Sequence, residues 1–164
     1  MNKSFIKYLV FVFVSVILIA VDQITKKLAL KHLYNNKPYV IVDNVLELTY
    51  VENRGAAFGI LQNKQALFYV LTIVVLLVIC YLIYRIDDIR NNLLYFIILI
   101  LIFSGAIGNF IDRLRNKYVI DFIYFKPIDF PVFNFADIYI TIACFLMIIY
   151  LIFENKNEKG LIKG

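Results

Sequence analysis

The chain has 164 residues, 62% of them hydrophobic, and a mean hydropathy of +0.80. A soluble domain of this size is about half apolar, so the composition is that of an integral membrane protein and excludes a water-soluble enzyme or binding module. The net charge of +5 comes without a long basic run; Lys and Arg flanking membrane spans account for it, and no nucleic-acid partner is expected.

The first apolar run lies between Lys7 and Asp22. At 1.5 Å per residue it covers only about 21 Å of helix. A basic start before such a run resembles a cleaved signal peptide, but Ile19-Ala20-Val21 leads straight into Asp22 with no small-x-small cleavage site. The helix is therefore expected to continue to Leu30. Asp22 and Lys26 then stand at i and i+4 on one face, and a salt bridge at the membrane edge is the simplest reading. Residues 39–51 are rich in β-branched and aromatic side chains around Asp43-Asn44, which predicts a small extramembrane hairpin or sheet.

The stretch Asn53-Arg54-Gly55-Ala56-Ala57-Phe58-Gly59 joins that sheet to the second span. Its small residues suit either a tight loop ending on a helix or a binding lip at the membrane surface. A spanning helix needs roughly 20 apolar residues. The runs 66–84, 93–111 and 134–153 meet that length, and with 8–30 they make four spans. Three Pro and six Gly leave no long flexible linker, so 1–164 is read as one membrane domain. In the third span Ser104 and Gly108 form a small-xxx-small face for close helix packing. Asn109, Asp112 and Arg113 follow on one face, either as a polar helix end with Arg113 reaching the interface or as a group that holds a substrate backbone or orients a carboxylate.

Two aspartates carry the functional reading. Asp121 sits among apolar and aromatic neighbours in a strand-like stretch, where alternation puts Val119, Asp121, Ile123 and Phe125 on one face. Asp137 lies one turn into the fourth span, after Asn134. Alone, Asn134 and Asp137 read as a helix cap and an acidic first turn. Asp121 has no such role. The loop between them holds Lys126-Pro127-Ile128-Asp129-Phe130-Pro131 and lets the chain turn back. Two buried carboxylates within reach of one another do not both ionise easily, so one keeps a proton. That pairs a general base for water with a general acid for a carbonyl and a leaving amine. Cys80 and Cys144 lie in apolar runs and read as small hydrophobes; with His32 the only histidine, no metal site and no cofactor are expected.

A non-enzymatic rival is a small transporter or channel subunit with a proton-carrying acidic pair. It wants carboxylates near mid-bilayer, as does an intramembrane protease of the presenilin type. Asp137 is only about 5 Å along its span and Asp121 lies outside the runs, which favours interfacial chemistry.

The ordered set Asp22-Gln23-x-x-Lys26, Asn53-x-Gly55-Ala56-Ala57-Phe58, Gly108-Asn109-x-x-Asp112-Arg113, Val119-Ile120-Asp121-Phe122 and Phe133-Asn134-x-Ala136-Asp137 resembles the bacterial lipoprotein signal peptidase family, signal peptidase II. The resemblance implies an all-α membrane fold, a four-transmembrane-helix bundle with a small extracytoplasmic β-sheet. It implies an aspartic endopeptidase that removes signal peptides from diacylglyceryl-modified prolipoproteins, cutting before the lipidated cysteine. Asp121 and Asp137 fall on the catalytic aspartates. Asn53, Gly55, Asn109, Asp112, Arg113, Asn134, Asp22 and Lys26 fall on substrate-binding or site-supporting positions. The implied partners are lipidated prolipoproteins and membrane lipid, with the enzyme a monomer. The implied location is the bacterial cytoplasmic membrane, both termini cytoplasmic, the active site near the extracytoplasmic face, and segments 31–65 and 112–133 extracytoplasmic. Charge counting points the other way: the termini side holds seven Lys and Arg and the opposite side ten. The resemblance, not that count, is the ground for termini inside.

Overall fold

The structure is a computed structural model that describes residues 3–55 and 64–161. Four helices and three strands follow in the order α1 (Lys3–Leu33), β1 (Tyr39–Val42), β2 (Leu46–Asn53), α2 (Gln65–Arg85), α3 (Leu93–Asn116), β3 (Val119–Phe125) and α4 (Phe135–Leu161). All four helices are long and apolar enough to cross a membrane. Their outward faces carry large apolar side chains such as Phe13, Leu77 and Phe145, each more than 60% exposed, as a lipid-facing surface requires. The protein is a multi-pass membrane bundle with a small antiparallel sheet.

The first helix runs unbroken past Asp22 and Lys26, as the missing cleavage site suggested. The third extends beyond the expected end at 111 to Asn116, so Asp112 and Arg113 are helical. It ends where Lys117 takes a left-handed conformation, φ 68°, with its N–H on the Arg113 carbonyl. Two of the spans are tied together by an unexpected buried charge. Lys7, 4% exposed, donates from Nζ to the carbonyls of Ile86 at 2.6 Å and Tyr84 at 3.2 Å, closing the C-terminal end of α2. It is therefore not a free interfacial charge.

Helix α3 is the central element, with α1, α2 and α4 packed around it. At one end the core joins Phe11, Ile79, Ile83, Phe96 and Leu99 from α1, α2 and α3. Near its other end α3 meets α4 through Gly105, where a Cβ would stand 2.5 Å from the Ala136 carbonyl oxygen. The tightest approach to α4 thus falls at Gly105 rather than on the expected Ser104–Gly108 face, and Gly108 mainly meets α1. A Cβ there would lie 2.5 Å from Asp22 Oδ2, so its absence makes room for a carboxylate.

The sheet has strand order β1-β2-β3. Asn44, φ 55°, turns the β1–β2 hairpin at the Asp43-Asn44 signal. Strand β3 pairs antiparallel with β2, with Val51 opposite Asp121 and Asn53 opposite Val119. Ile120 and Phe122 pack against Ala29 and Leu33 at the end of α1. The alternate residues Val119 and Asp121 face away from that contact. Both sets are buried, so β3 is covered on two faces rather than one. After a 3₁₀ turn at Lys126–Ile128 the chain returns, and Phe133 forms a two-way backbone bridge with Ile123. The next residue, Asn134, starts α4. This return brings the two aspartates to one place.

Candidate active site

The site begins with a helix cap. Asn134 Oδ1 accepts the Asp137 N–H at 3.1 Å, and Asp137 Oδ2 accepts the Asn134 N–H at 3.2 Å. The sequence suggested a cap and an acidic first turn; the reciprocal pair of bonds makes it a capping box. The cap also does something local sequence does not announce. Asn134 Nδ2 donates to Asp121 Oδ1 at 2.6 Å and to Asn109 Oδ1 at 3.2 Å. Asn109 Nδ2 in turn donates to Asp137 Oδ1 at 2.8 Å. From the other side Asn53 Nδ2 donates to Asp121 Oδ2 at 2.9 Å, across the diagonal of the β2–β3 pair. Three asparagine amides therefore hold two carboxylates.

Asp121 and Asp137 both line one cavity of about 650 Å³, together with Asn53, Gly55, Asn109 and Arg113. Asp121 is 1% exposed, whereas Asp137 is partly open. Burial pushes the Asp121 carboxyl from its ordinary 3.8 up to about 7, and the nearby Asp137 charge adds to the rise. The amides of Asn53 and Asn134 and the charge of Lys26 oppose it. Each Asp121 oxygen has one amide partner and a spare lone-pair site, so a proton fits without breaking the cradle.

Behind the cavity lies a second polar cluster. Lys26, 1% exposed, bridges Asp22 at 3.0 Å and Asp112 at 3.1 Å, and donates to Asn109 Oδ1 at 2.9 Å. The expected membrane-edge salt bridge is corrected here, because the pair is fully buried and has a third member from α3. Asp22 Oδ1 accepts the Ala136 N–H in the first turn of α4 at 3.0 Å. Asp112 Oδ2 accepts the Ile120 N–H of β3 at 3.1 Å. One ion cluster thereby fixes the elements that carry both cavity aspartates.

Arg113 sets its guanidinium 4.5 Å from the centre of the Phe68 ring and donates to the Gly55 carbonyl at 3.1 Å. Asn53 Oδ1 accepts the Gly55 N–H at 3.0 Å. The rest of the expected lip, Ala56 to Gly59, lies outside the described residues. Every other residue singled out for the site joins this network. Asp129 stays outside it, with its carboxylate accepting the Tyr124 hydroxyl at 2.6 Å. Three contributors were missed. Gln23 Nε2 donates to Asp22, the Gly108 carbonyl and Asp112; its place beside Asp22 was a usable signal. Phe68 and Tyr69, whose hydroxyl donates to the Arg113 carbonyl at 2.9 Å, carry no sequence signal beyond an aromatic at a span start.

Over residues 14–153 the chain matches the family described as Signal peptidase (SPase) II. It belongs to that family. Its relatives include the lipoprotein signal peptidase of Caldanaerobacter subterraneus, 48% identical over 135 residues, with 82% of this chain and 90% of the relative covered. The lipoprotein signal peptidase of Streptococcus agalactiae is 43% identical over 144 residues, covering 88% and 92%. Among solved structures, a bacterial membrane enzyme determined in meso at 2.3 Å superposes with a TM-score of 0.82 at 35% identity, covering 90% of each chain. The bundle and its sheet are thus those of a membrane enzyme, and the chain is a membrane peptidase of the aspartic class.

Proposed function

We propose that this peptidase removes signal peptides from diacylglyceryl-modified prolipoproteins, and that Asp121 and Asp137 perform the cut. One observation carries the residue assignment: the two carboxylates line the same cavity, joined through one residue, Asn134, whose side-chain amide donates to Asp121 and whose backbone N–H donates to Asp137. Asp137, partly open, takes a proton from water, whose oxygen attacks the scissile carbonyl. Asp121, buried and holding its proton near neutrality, gives it to the carbonyl oxygen. On collapse Asp137 passes its proton to the leaving amine and Asp121 recovers one from the diol. Protons balance over the cycle, with no covalent intermediate and no metal. Arg113 and Asn109, on the cavity wall, hold the substrate backbone. A lipidated substrate stays in the bilayer, which suits a cavity at the end of the spans. In this reading both termini are cytoplasmic and the cavity faces the opposite side.

Asp121→Asn and Asp137→Asn are each expected to abolish cleavage of a lipidated prolipoprotein in detergent, while the protein still folds and inserts. Near-normal turnover by either variant would remove that residue from the chemistry.

A further inference from the structure

No residue of α2 lines the active-site cavity. One face of its first turns nevertheless holds Arg113, which does. Gln65, Phe68 and Tyr69 stand at i, i+3 and i+4 on a single side of the helix. All three are half-buried, whereas Ala66, Leu67 and Val70 are exposed.

Each of the three makes a different contact with one small region. Phe68 sets its ring against the Arg113 guanidinium, 4.5 Å from the guanidinium carbon to the ring centre. The Tyr69 hydroxyl donates to the Arg113 carbonyl at 2.9 Å, and its ring meets Phe110, about one turn back on α3, edge-on at 5.9 Å. The same carbonyl accepts the Lys117 N–H that ends α3, so Tyr69 grips the helix at its last turn. Gln65 Nε2 donates to the Arg54 carbonyl at 3.3 Å. The next carbonyl, of Gly55, is the one that accepts from Arg113 at 3.1 Å.

Arg113 has little else to fix it. Among the described residues it has no carboxylate within salt-bridge reach, unlike Arg54, which pairs with Glu52 at 2.9 Å. The direction of its guanidinium therefore rests on the Gly55 carbonyl and on the face of Phe68. A long side chain loses rotamer freedom when a substrate immobilises it. A ring that fixes the guanidinium beforehand removes that cost from binding. The donors of the fork that Gly55 does not use are left for a substrate.

We propose that Phe68 and Tyr69 are positioning residues for cleavage. The Phe68 ring sets the direction of the Arg113 side chain, and the Tyr69 hydroxyl sets the helix end that carries it. The inference rests on the role proposed above for Arg113 in holding the substrate backbone. It makes α2 a functional element although it adds nothing to the cavity wall.

A double-mutant cycle with a lipidated prolipoprotein in detergent tests it. Phe68→Leu keeps an apolar side chain and removes the aromatic face; kcat/KM is expected to fall about tenfold with the thermal midpoint little changed. Phe68→Tyr keeps the face and should retain turnover. Tyr69→Phe loses only the hydroxyl and should cost about threefold. In an Arg113→Ala background neither Phe68→Leu nor Tyr69→Phe should lower the residual rate further, because both act through the missing side chain. A proportional loss in both backgrounds would overturn the proposal. So would full activity in Phe68→Leu or in Arg113→Ala, or a Phe68→Tyr variant as poor as Phe68→Leu. Tyr69→Phe, the smaller change, decides the cycle if Phe68→Leu does not fold. The cycle reads turnover whichever carboxylates make the cut, so near-normal cleavage by Asp121→Asn would defeat the proposed chemistry and leave this coupling measurable.

Discussion

Two pairs of aspartates stand side by side in the molecule, and their partners differ in kind. Asp22 and Asp112 share a cation, Lys26, with both bridges near 3 Å. Asp121 and Asp137 are held by asparagine amides instead, those of Asn53 and Asn134 on Asp121 and that of Asn109 on Asp137. An ammonium offsets the charge of buried carboxylates directly. An amide donates a hydrogen bond but brings no net charge, so burial and then the nearby Asp137 charge push the Asp121 carboxyl up to about 7. In the proposed function the first pair is frame and the second is reagent, and the partner of each side chain sets the difference. Asn109 stands on the boundary, accepting from Lys26 and donating to Asp137.

The comparison breaks most visibly at Lys26. Lys26→Met leaves two buried carboxylates without their cation, a loss of roughly 3–5 kcal/mol when one partner of a buried pair is removed. The expected outcome is a large fall in thermal midpoint or failure to accumulate in the membrane. The neutral triple variant Asp22→Asn, Lys26→Met, Asp112→Asn should recover most of that stability, because no orphaned charge remains. A triple variant as unstable as Lys26→Met would show that the lost Lys26 bonds and the altered packing, not charge balance, set the stability of this cluster.

A smaller effect sharpens the other pair. The folded Asp121 carboxyl, raised to about 7, holds a proton that the unfolded chain has released above pH 3.8. The folded state therefore binds more protons between about pH 4 and 7, and its stability falls as pH rises through that window. The contribution is fully present below the unfolded value and is lost by the time pH passes the folded one. At 1.4 kcal/mol per unit, the three-unit rise corresponds to roughly 4 kcal/mol at most. Asp121→Asn cannot ionise. Its thermal midpoint should match that of the unmodified protein near pH 4.5 and exceed it near pH 8. A parallel pair of midpoint curves would mean that Asp121 is ionised throughout.

Parts of this were legible in the sequence and parts were not, for physical reasons. The spans, the Asp43-Asn44 turn and the Asn134–Asp137 cap are local: each rests on residues close in sequence, where period and turn chemistry operate. Asp22 and Lys26 were also legible as an i, i+4 pair. Their third partner Asp112 was not, since no local rule connects α1 to α3 across that sequence distance. That is why a membrane-edge bridge was expected and a buried cluster was found. Asp121 was suspected from its apolar surroundings alone. That Asn134 reaches it depends on the Phe133–Ile123 bridge, a tertiary pairing with no signature of its own. The resemblance to a family supplied the grouping that periodicity did not.

Arg113 offers the finest test of the comparison, because it lines the reactive cavity without touching the scaffold lysine. Its fork donates to the Gly55 carbonyl while its plane lies over Phe68. Both contacts use features of guanidinium that an ammonium lacks, namely several donors in one plane and a flat face. Arg113→Lys keeps the positive charge beside the aspartates and the reach to the interface. If Arg113 serves only by charge or by anchoring, Lys should restore turnover fully. If it positions the Gly55 strand end and the substrate backbone, Lys should cost about tenfold in kcat/KM, the equivalent of one charge-assisted hydrogen bond. The thermal midpoint should move little, since Asp22, Lys26 and Asp112 remain in place. Arg113→Ala should be worse in turnover and only slightly worse in stability. Measuring both variants for kcat/KM and midpoint in the same detergent separates the two roles, and full activity in Arg113→Lys would reassign Arg113 from the reactive pair to the frame around it.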